Sequence, residues 1–267
     1  MNRILTLTTD FGVRDAYVAS MKGVILGLAP EARLIDITHS IRAHDIMEAA
    51  FVLRNAVDFF PAGTVHLAVV DPGVGSDRRP VALRAGDRWF VGPDNGLFSL
   101  VLTDRTIDER VVLDRPAYWR TPAPSHTFHG RDIFAPAAAH ILRGTPLRDL
   151  GTPIEALKPL HWALPIDDQQ GIQGWVVHVD RFGNCVTNIS RALFDDRRKD
   201  RSVKCYIGST IIDGVACTYS DAQAGEPLML FESSNHLEIA VNNGNAAELL
   251  GIRKGGSVNV VFIDERT

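Results

Sequence analysis

Thr64-Val65-His66-Leu67-Ala68-Val69-Val70-Asp71-Pro72-Gly73-Val74-Gly75-Ser76-Asp77-Arg78-Arg79, residues 64–79, sets an apolar run against a carboxylate, a Pro-Gly turn and two arginines. The run from Thr64 to Val70 is short, almost wholly apolar and rich in valine, which predicts a buried parallel strand. Asp71 then ends that strand, on the edge where open α/β sheets bind their ligands. A loop built on Gly73 and Gly75 lets backbone amides approach a ligand closely. The same residue types are common turn formers, so the motif alone leaves a plain Asp-Pro-Gly turn open.

Upstream, Ile4 to Thr9 predicts a first strand and Asp10-Phe11-Gly12 a turn. Tyr17, Met21, Val24, Ile25 and Leu28 then recur at helical spacing up to Pro30. Leu34 to Ile37 predicts a second strand. A second helix starts near Asp45, carries Ile46, Ala49, Ala50, Leu53 and Val57, and stops at Phe59-Phe60-Pro61-Ala62-Gly63. This β-α-β-α-β order implies a Rossmann-like α/β domain with a mainly parallel sheet and right-handed crossovers. Such a sheet lines up the strand ends carrying Asp10 and Asp71 on one edge.

Downstream, Val81 to Arg84 and Trp89 to Val91 predict a hairpin across Ala85-Gly86-Asp87, and Asp94 is placed to cap a short helix through Leu97, Val101 and Leu102. Val111 to Leu113 predicts another strand. The Pro-rich stretch from Thr121 to Asp132 sets His126 and His129 ahead of a helix over Ile133 to Leu142, ended by Gly144. Pro153, Pro159 and Pro165 mark a linker, after which short strands separated by Gly, Asn and Asp predict a small β-barrel or sandwich. The expected organisation is an α/β catalytic domain at 1–153, a linker at 154–172 and a β-barrel domain at 173–267.

The chain of 267 residues, 45% hydrophobic, is long enough for two cores. Net charge is -4, and the short basic run Arg197-Arg198-Lys199-Asp200-Arg201 is broken by an acid, so no nucleic-acid footprint is expected. No run approaches the ~20 apolar residues of a membrane span, and the amino terminus is too briefly apolar for a signal peptide. A cytoplasmic protein without membrane association is expected. Cys185, Cys205 and Cys217 are odd in number and lack C-x-x-C spacing, which argues against a disulfide framework or a zinc knuckle. Gly73-Val74-Gly75 is neither a dinucleotide fingerprint nor a P-loop, because Arg78 stands where the third glycine belongs and no G-K-[ST] follows. His126 and His129 with Asp10 or Asp71 form no zinc signature, and no G-x-S-x-G elbow is present. No metal is expected.

Taken together, ordered segments across nearly the whole chain carry one resemblance. They are Thr8-Thr9-Asp10-Phe11-Gly12 with Asp15 and Lys22-Gly23, then Ile37-Thr38-His39-Ser40-Ile41, then Val70-Asp71-Pro72-Gly73-Val74-Gly75 with Arg78. Gly92-Pro93-Asp94-Asn95-Gly96, Phe128-His129-Gly130-Arg131-Asp132, and Asp180-Arg181-Phe182-Gly183-Asn184 with Thr187-Asn188-Ile189 complete the set. The chain closely resembles the S-adenosylmethionine hydroxide adenosyltransferase family, hydrolytic relatives of the S-adenosylmethionine-dependent chlorinase and fluorinase.

The resemblance implies hydrolysis of S-adenosylmethionine to adenosine and methionine, with no cofactor. It also implies a homotrimer whose substrate lies between the amino domain of one subunit and the carboxyl domain of the next. It carries over a catalytic set of Asp71, Arg78 and His129, in which Arg78 favours an anionic nucleophile while Asp71 and His129 accept or relay its proton. Asp10 corresponds to the carboxylate that holds the ribose hydroxyls, Asn184 to the adenine-edge amide, and Asp180 to the acid that meets the methionine ammonium. Phe128 and Phe182 correspond to apolar walls, and Ser233 to the carboxylate-binding serine. Four positions depart from the halogenases: an acid at Asp71, Val74 in place of a small hydroxyl residue that holds halide, Ser234 in place of arginine, and His44 in place of a tryptophan that packs near the ribose. The first two favour water over halide. A halide adenosyltransferase, a non-catalytic S-adenosylmethionine or adenosine sensor and a metal-dependent hydrolase are the competing readings.

Overall fold

The computed structural model describes residues 2–103, 105–160 and 164–264. Two compact units divide the chain, residues 1–161 and 162–267. The first contains β1 (Ile4–Thr9), α1 (Tyr17–Leu28), β2 (Arg33–Thr38), α2 (Ile46–Val57), β3 (Val65–Val69), β4 (Pro80–Ala85), β5 (Arg88–Pro93), β6 (Ile107–Val112), α3 (Ala135–Leu142), α4 (Leu147–Leu150) and β7 (Thr152–Pro153). Its sheet runs β2-β1-β3-β5-β4-β6-β7. The β2-β1-β3-β5 half is parallel, and β4, β6 and β7 extend it antiparallel.

The apolar run at 65–70 is continuous because this part of the sheet is covered on both faces. Leu67 and Val69 pack with Leu5, Leu7, Met21 and Ile25 against α1 and α3. Ala68 and Val70 point the other way, into a cluster with Ala49, Leu53 and Val57 of α2 and with Phe90. Asp45 caps α2 by accepting the Glu48 N–H at 3.0 Å. β1 lies between β2 and β3; the chain leaves β1 through α1 toward β2 and leaves β3 toward β4 on the opposite side. This is the switch point at which a crevice opens beyond the strand ends. The register pairs Thr9 with Val69, so Asp10 and Asp71 follow on neighbouring strands.

The expected helix through Leu97, Val101 and Leu102 does not form. Residues 96–102 make separate turns, with Ser99 N–H donating to Gly96 O and Leu102 N–H to Phe98 O. Asp94 is not available as a cap, because its carboxylate accepts from Arg79 Nε at 2.8 Å and from the Lys158 N–H at 2.7 Å.

Residues 154–160, expected within a linker, are tied to the first unit. Arg110 Nε donates to Ile154 O, Arg79 Nη2 to Ala156 O, and the Leu160 N–H to Ser99 Oγ. Residues 161–163 of that stretch lie outside the described residues.

The second unit contains β8 (Ile166–Asp167), β9 (Gly171–Val179), β10 (Cys185–Ser190), α5 (Arg191–Arg198), β11 (Ser202–Ile207), β12 (Thr210–Asp213), β13 (Pro227–Phe231), β14 (His236–Val241), α6 (Ala246–Leu249) and β15 (Ser257–Ile263). The order β12-β11-β15-β9-β10-β14-β13, with β8 on β9, makes a nearly closed barrel. The first half of β9 pairs with β15 and its second half with β10. At the changeover, a Cβ on Gly174 would lie 2.5 Å from Ile189 Cγ1.

Close approach also fixes Gly92, where a Cβ would lie 2.2 Å from Ala68 O and 3.0 Å from Phe98 Cζ. Gly92→Ala is therefore expected to part β5 from β3 and cost about 2–3 kcal/mol in urea denaturation.

Candidate active site

Past Val70 the strand gives way to a tight loop in which Val74 N–H donates to Asp71 O and Ser76 N–H to Gly73 O. Ser76 Oγ donates to Gly73 O at 2.6 Å and accepts from the Arg78 N–H at 3.3 Å, which turns the Arg78 side chain back over the strand end. Arg78 Nε donates to both Asp71 oxygens at 2.9 Å, and Nη2 donates to Oδ2 as well. Both side chains are nearly buried, at 7% and 5% exposure. The guanidinium carbon sits 5.2 Å from the centre of the Phe134 ring. Arg78 Nη1 is buried with no hydrogen-bond partner among the described residues.

Arg78 Nη2 also lies 2.7 Å from His129 Nδ1. A guanidinium only donates, so Nδ1 must accept and the ring proton must sit on Nε2. Burial, reinforced by the Arg78 charge, pulls the His129 pKa below its ordinary value, while Asp71 opposes the shift.

The backbone brings the two loops together. Gly75 adopts φ +79°, and a Cβ there would lie 2.5 Å from His126 O. His129 immediately precedes a single π-helical turn, Gly130–Phe134, that leads into α3. Asp132, buried in that turn, accepts from Arg131 Nε at 2.7 Å and from the Ser125 N–H at 2.9 Å, which fastens the Pro-rich stretch to the turn. The Arg131 contact holds the Asp132 carboxyl below the ordinary range against the opposing effect of burial.

Asp10 lies at the end of β1, and its Oδ2 accepts from the His44 N–H at 2.9 Å. Phe128 meets Tyr17 edge-on with ring centres 5.1 Å apart, and meets Phe11 at 5.9 Å. The first unit therefore gathers Asp71, Arg78 and His129 directly, with Asp10 on the adjacent strand and Phe128 next to His129 in sequence.

In the second unit the β9–β10 turn draws Asp180 and Asn184 together. Asp180 Oδ1 accepts from the Phe182 and Asn184 N–H groups at 2.9 and 2.8 Å, and Oδ2 accepts from Asn184 Nδ2 at 3.1 Å. Phe182, at the tip, is 76% exposed. These residues line a cleft of about 640 Å³ with Tyr219, Val241 and Asn243. Ser233 is elsewhere, in the turn before β14. Cys185, which follows Asn184, pairs with Ile239, whereas Ser190 pairs with His236. Ser233 thus sits at the far end of this ladder from Asn184, with its hydroxyl 3.4 Å from Glu232 Oε2.

Sequence reasoning passed over Tyr219 and Glu238. Tyr219 Oη donates to Glu238 Oε1 at 2.8 Å. Burial pushes the Glu238 carboxyl up to about 7, against the Tyr219 bond, with the charges of Asp180 and Glu232 adding to the rise. Glu238 alternates with apolar residues along β14 and so reads as solvent-facing. Only the fold reveals that it is buried. Among the described residues, no three His, Cys, Asp or Glu side chains gather as metal ligands.

Residues 5–151 match the SAM hydroxide adenosyltransferase N-terminal domain, and residues 174–259 match the C-terminal domain of the same family. The chain belongs to this family. Among its relatives, an (R)-S-adenosyl-L-methionine hydrolase of Salinispora arenicola is 40% identical over 259 residues, covering 96% of this chain and 97% of that protein. One of the same name from Thermus thermophilus is 39% identical over 269 residues, covering 95% and 97%. A fluorinase of an Actinoplanes species is more distant, 27% identical over 295 residues and covering 97% of each. An uncharacterized conserved protein from Thermotoga maritima shares the fold with a TM-score of 0.89 and 36% identity, covering 97% of this chain and 99% of that one.

Protonating His129 places a donor on Nδ1, where Arg78 already donates, and the contact must break. Because the pKa is depressed, His129 stays neutral at pH values below about 6.5, where an ordinary histidine is already half protonated. The acid limb of kcat/KM due to His129 is expected below that pH. Any inflection near 7 is expected to come from Glu238 and to vanish in Glu238→Gln, as a pH–rate profile of both proteins will show.

Proposed function

We propose that this chain hydrolyses S-adenosyl-L-methionine to adenosine and L-methionine, with water attacking C5′ in line with the C–S bond. The observation that carries this reading is the buried Asp71–Arg78–His129 constellation at the switch-point edge of a family member's sheet. The sulfonium departs as a neutral thioether, so no acid is needed at the leaving group and no cofactor enters the reaction. What the site must supply is a positioned oxygen nucleophile, a destination for one proton, and a water-poor setting.

The geometry assigns these tasks differently from a simple shared proton relay. His129 Nδ1 is taken by Arg78, which leaves its Nε2–H as a donor to orient the attacking water. Asp71 has remaining lone pairs and only accepts, so it receives the proton. As the C–O bond forms, the water protons become strongly acidic and a carboxylate suffices as the base; no hydroxide need exist beforehand. Arg78 holds Asp71 and His129 in place through its contacts with both. The Asp71–Arg78 pair is close to neutral overall, so it does not repel the cationic sulfonium.

For the rest of the substrate, Asp10 is assigned to the ribose hydroxyls, Asn184 to the adenine edge, Asp180 to the methionine ammonium, and Phe128 and Phe182 to the apolar walls. Ser233 is assigned to the methionine carboxylate, for which its hydroxyl must leave Glu232. We extend the reading to a homotrimer with sites at the subunit interfaces, on family resemblance. A cytoplasmic location is supported by free thiols at Cys185, Cys205 and Cys217, the last of them exposed.

Chelator-treated protein incubated with S-adenosylmethionine in chloride buffer made with ¹⁸O-water is expected to give methionine and adenosine labelled at the 5′-hydroxyl. A 5′-chloronucleoside would move the chain to the halogenases, and binding without turnover would make it a sensor. Arg78→Ala is expected to lower kcat/KM by about 10²-fold or more, because Asp71 and His129 lose the anchor that positions them. Asp71→Asn, which keeps the shape and removes the base, should fall comparably in the same steady-state assay.

A further inference from the structure

Behind Asp10 lies a line of polar side chains, buried at Thr9 and His39 and reaching solvent at Asp36 and Lys22, for which the chemistry above has no use. Thr9 ends β1 and is fully buried; its Oγ1 lies 2.8 Å from His39 Nδ1 and accepts from the Phe11 N–H at 3.3 Å. His39 directly follows β2 and is 5% exposed. Its Nε2 approaches Asp36 Oδ1 to 3.0 Å without the alignment of a full hydrogen bond, while Asp36 Oδ2 accepts from Lys22 Nζ of α1 at 2.6 Å. Burial works against charging Asp36, but Lys22 and His39 overcome it and hold the carboxyl below its ordinary range.

The ionised carboxylate beside Nε2 favours one His39 tautomer. With the proton on Nε2, Nδ1 accepts from the Thr9 hydroxyl. The Thr9 oxygen is then left to accept from Phe11, across the peptide that carries Asp10. Two backbone contacts run in parallel. Gly12 N–H donates to His39 O at 2.7 Å, and His44 N–H donates to Asp10 itself. His66 provides a contrast: fully buried, it bonds Thr6 within the sheet and stacks on Phe90.

We propose that His39 is a positioning residue, which acts through Thr9 to set the Asp10 carboxylate for its grip on the ribose diol. This rests on the assignment of Asp10 in the proposed function. The two ring nitrogens can be tested separately. His39→Asn keeps an acceptor near the Nδ1 position and loses the reach to Asp36, whereas His39→Gln keeps a donor toward Asp36 and loses the Thr9 contact. The readout is calorimetric binding of adenosine against 2′,3′-dideoxyadenosine, because a merely structural loss weakens both ligands alike.

Wild type is expected to prefer adenosine by on the order of 10–100-fold, as hydrogen bonds to a charged group allow. Asp10→Ala should abolish that preference, His39→Gln should lose most of it with dideoxyadenosine binding unchanged, and His39→Asn should keep most of it. Thr9→Val removes the hydroxyl without removing the ring. It is expected to behave like His39→Gln and serves if that variant does not fold. Full preference retained in His39→Gln or in Thr9→Val overturns the inference while the reading of Asp10 stands. Absence of any preference in wild type, or its persistence in Asp10→Ala, overturns both.

Discussion

A guanidinium that is almost completely buried imposes the main constraint on this molecule. Arg78 cannot shed its charge and has little water to solvate it, so the surroundings must supply acceptors. Asp71 supplies two oxygens and His129 a ring nitrogen, and Phe134 supplies a π-face beneath. Each of these comes from a different place: a strand end, the residue before a π-turn, and the turn itself. The demands of one cation therefore fix how the 71–79 loop, the Pro-rich stretch and the start of α3 meet.

The sheet explains why this happens where it does. β1 and β3 are neighbours from which the chain departs in opposite directions, β1 toward β2 and β3 toward β4, so Asp10 and Asp71 stand at the switch between them. Carboxylates at such an edge remain reachable although the strands beneath them are buried on both faces. The mixed sheet adds to this. β4 returns antiparallel straight after the Arg78 loop, keeping that loop short and anchored at both ends.

Much of this was legible in the sequence, and for definite reasons. The valine-rich run at 64–70 has no polar alternation because both of its faces are covered, whereas the glycines at 73 and 75 read as room for a ligand, and at Gly75 the close neighbour is the His126 backbone. The helix expected from Leu97 to Leu102 failed because spacing says nothing about competition for Asp94, which Arg79 and the Lys158 amide claim first. The expected linker likewise reads as Pro-rich and aperiodic, yet residues 154–160 are held by side chains from distant β6 and from the Arg78–Arg79 loop. The π-turn after His129 has no sequence signature that separates it from an ordinary helix start. Glu238 and Tyr219 were missed because burial of a strand's polar face depends on what covers it. His39 stood in view within Ile37-Thr38-His39-Ser40-Ile41 as a mark of resemblance, but its partners Thr9, Asp36 and Lys22 come from three separate elements.

The contact at Gly75 and His126 is made by main chain, with no side chain between the two loops. The distance between the segment that carries Arg78 and the segment that carries His129 is thus held by backbone as well as by the Arg78 contacts. A frame of that kind tolerates exchange of its occupants. An acid or a neutral residue at the strand end, or a valine or a hydroxyl in the loop, can be seated without rebuilding the support. A family that spans proteins named as hydrolases and as fluorinases then needs only local substitutions to alter the nucleophile it selects, and new chemistry can be reached with the architecture left in place.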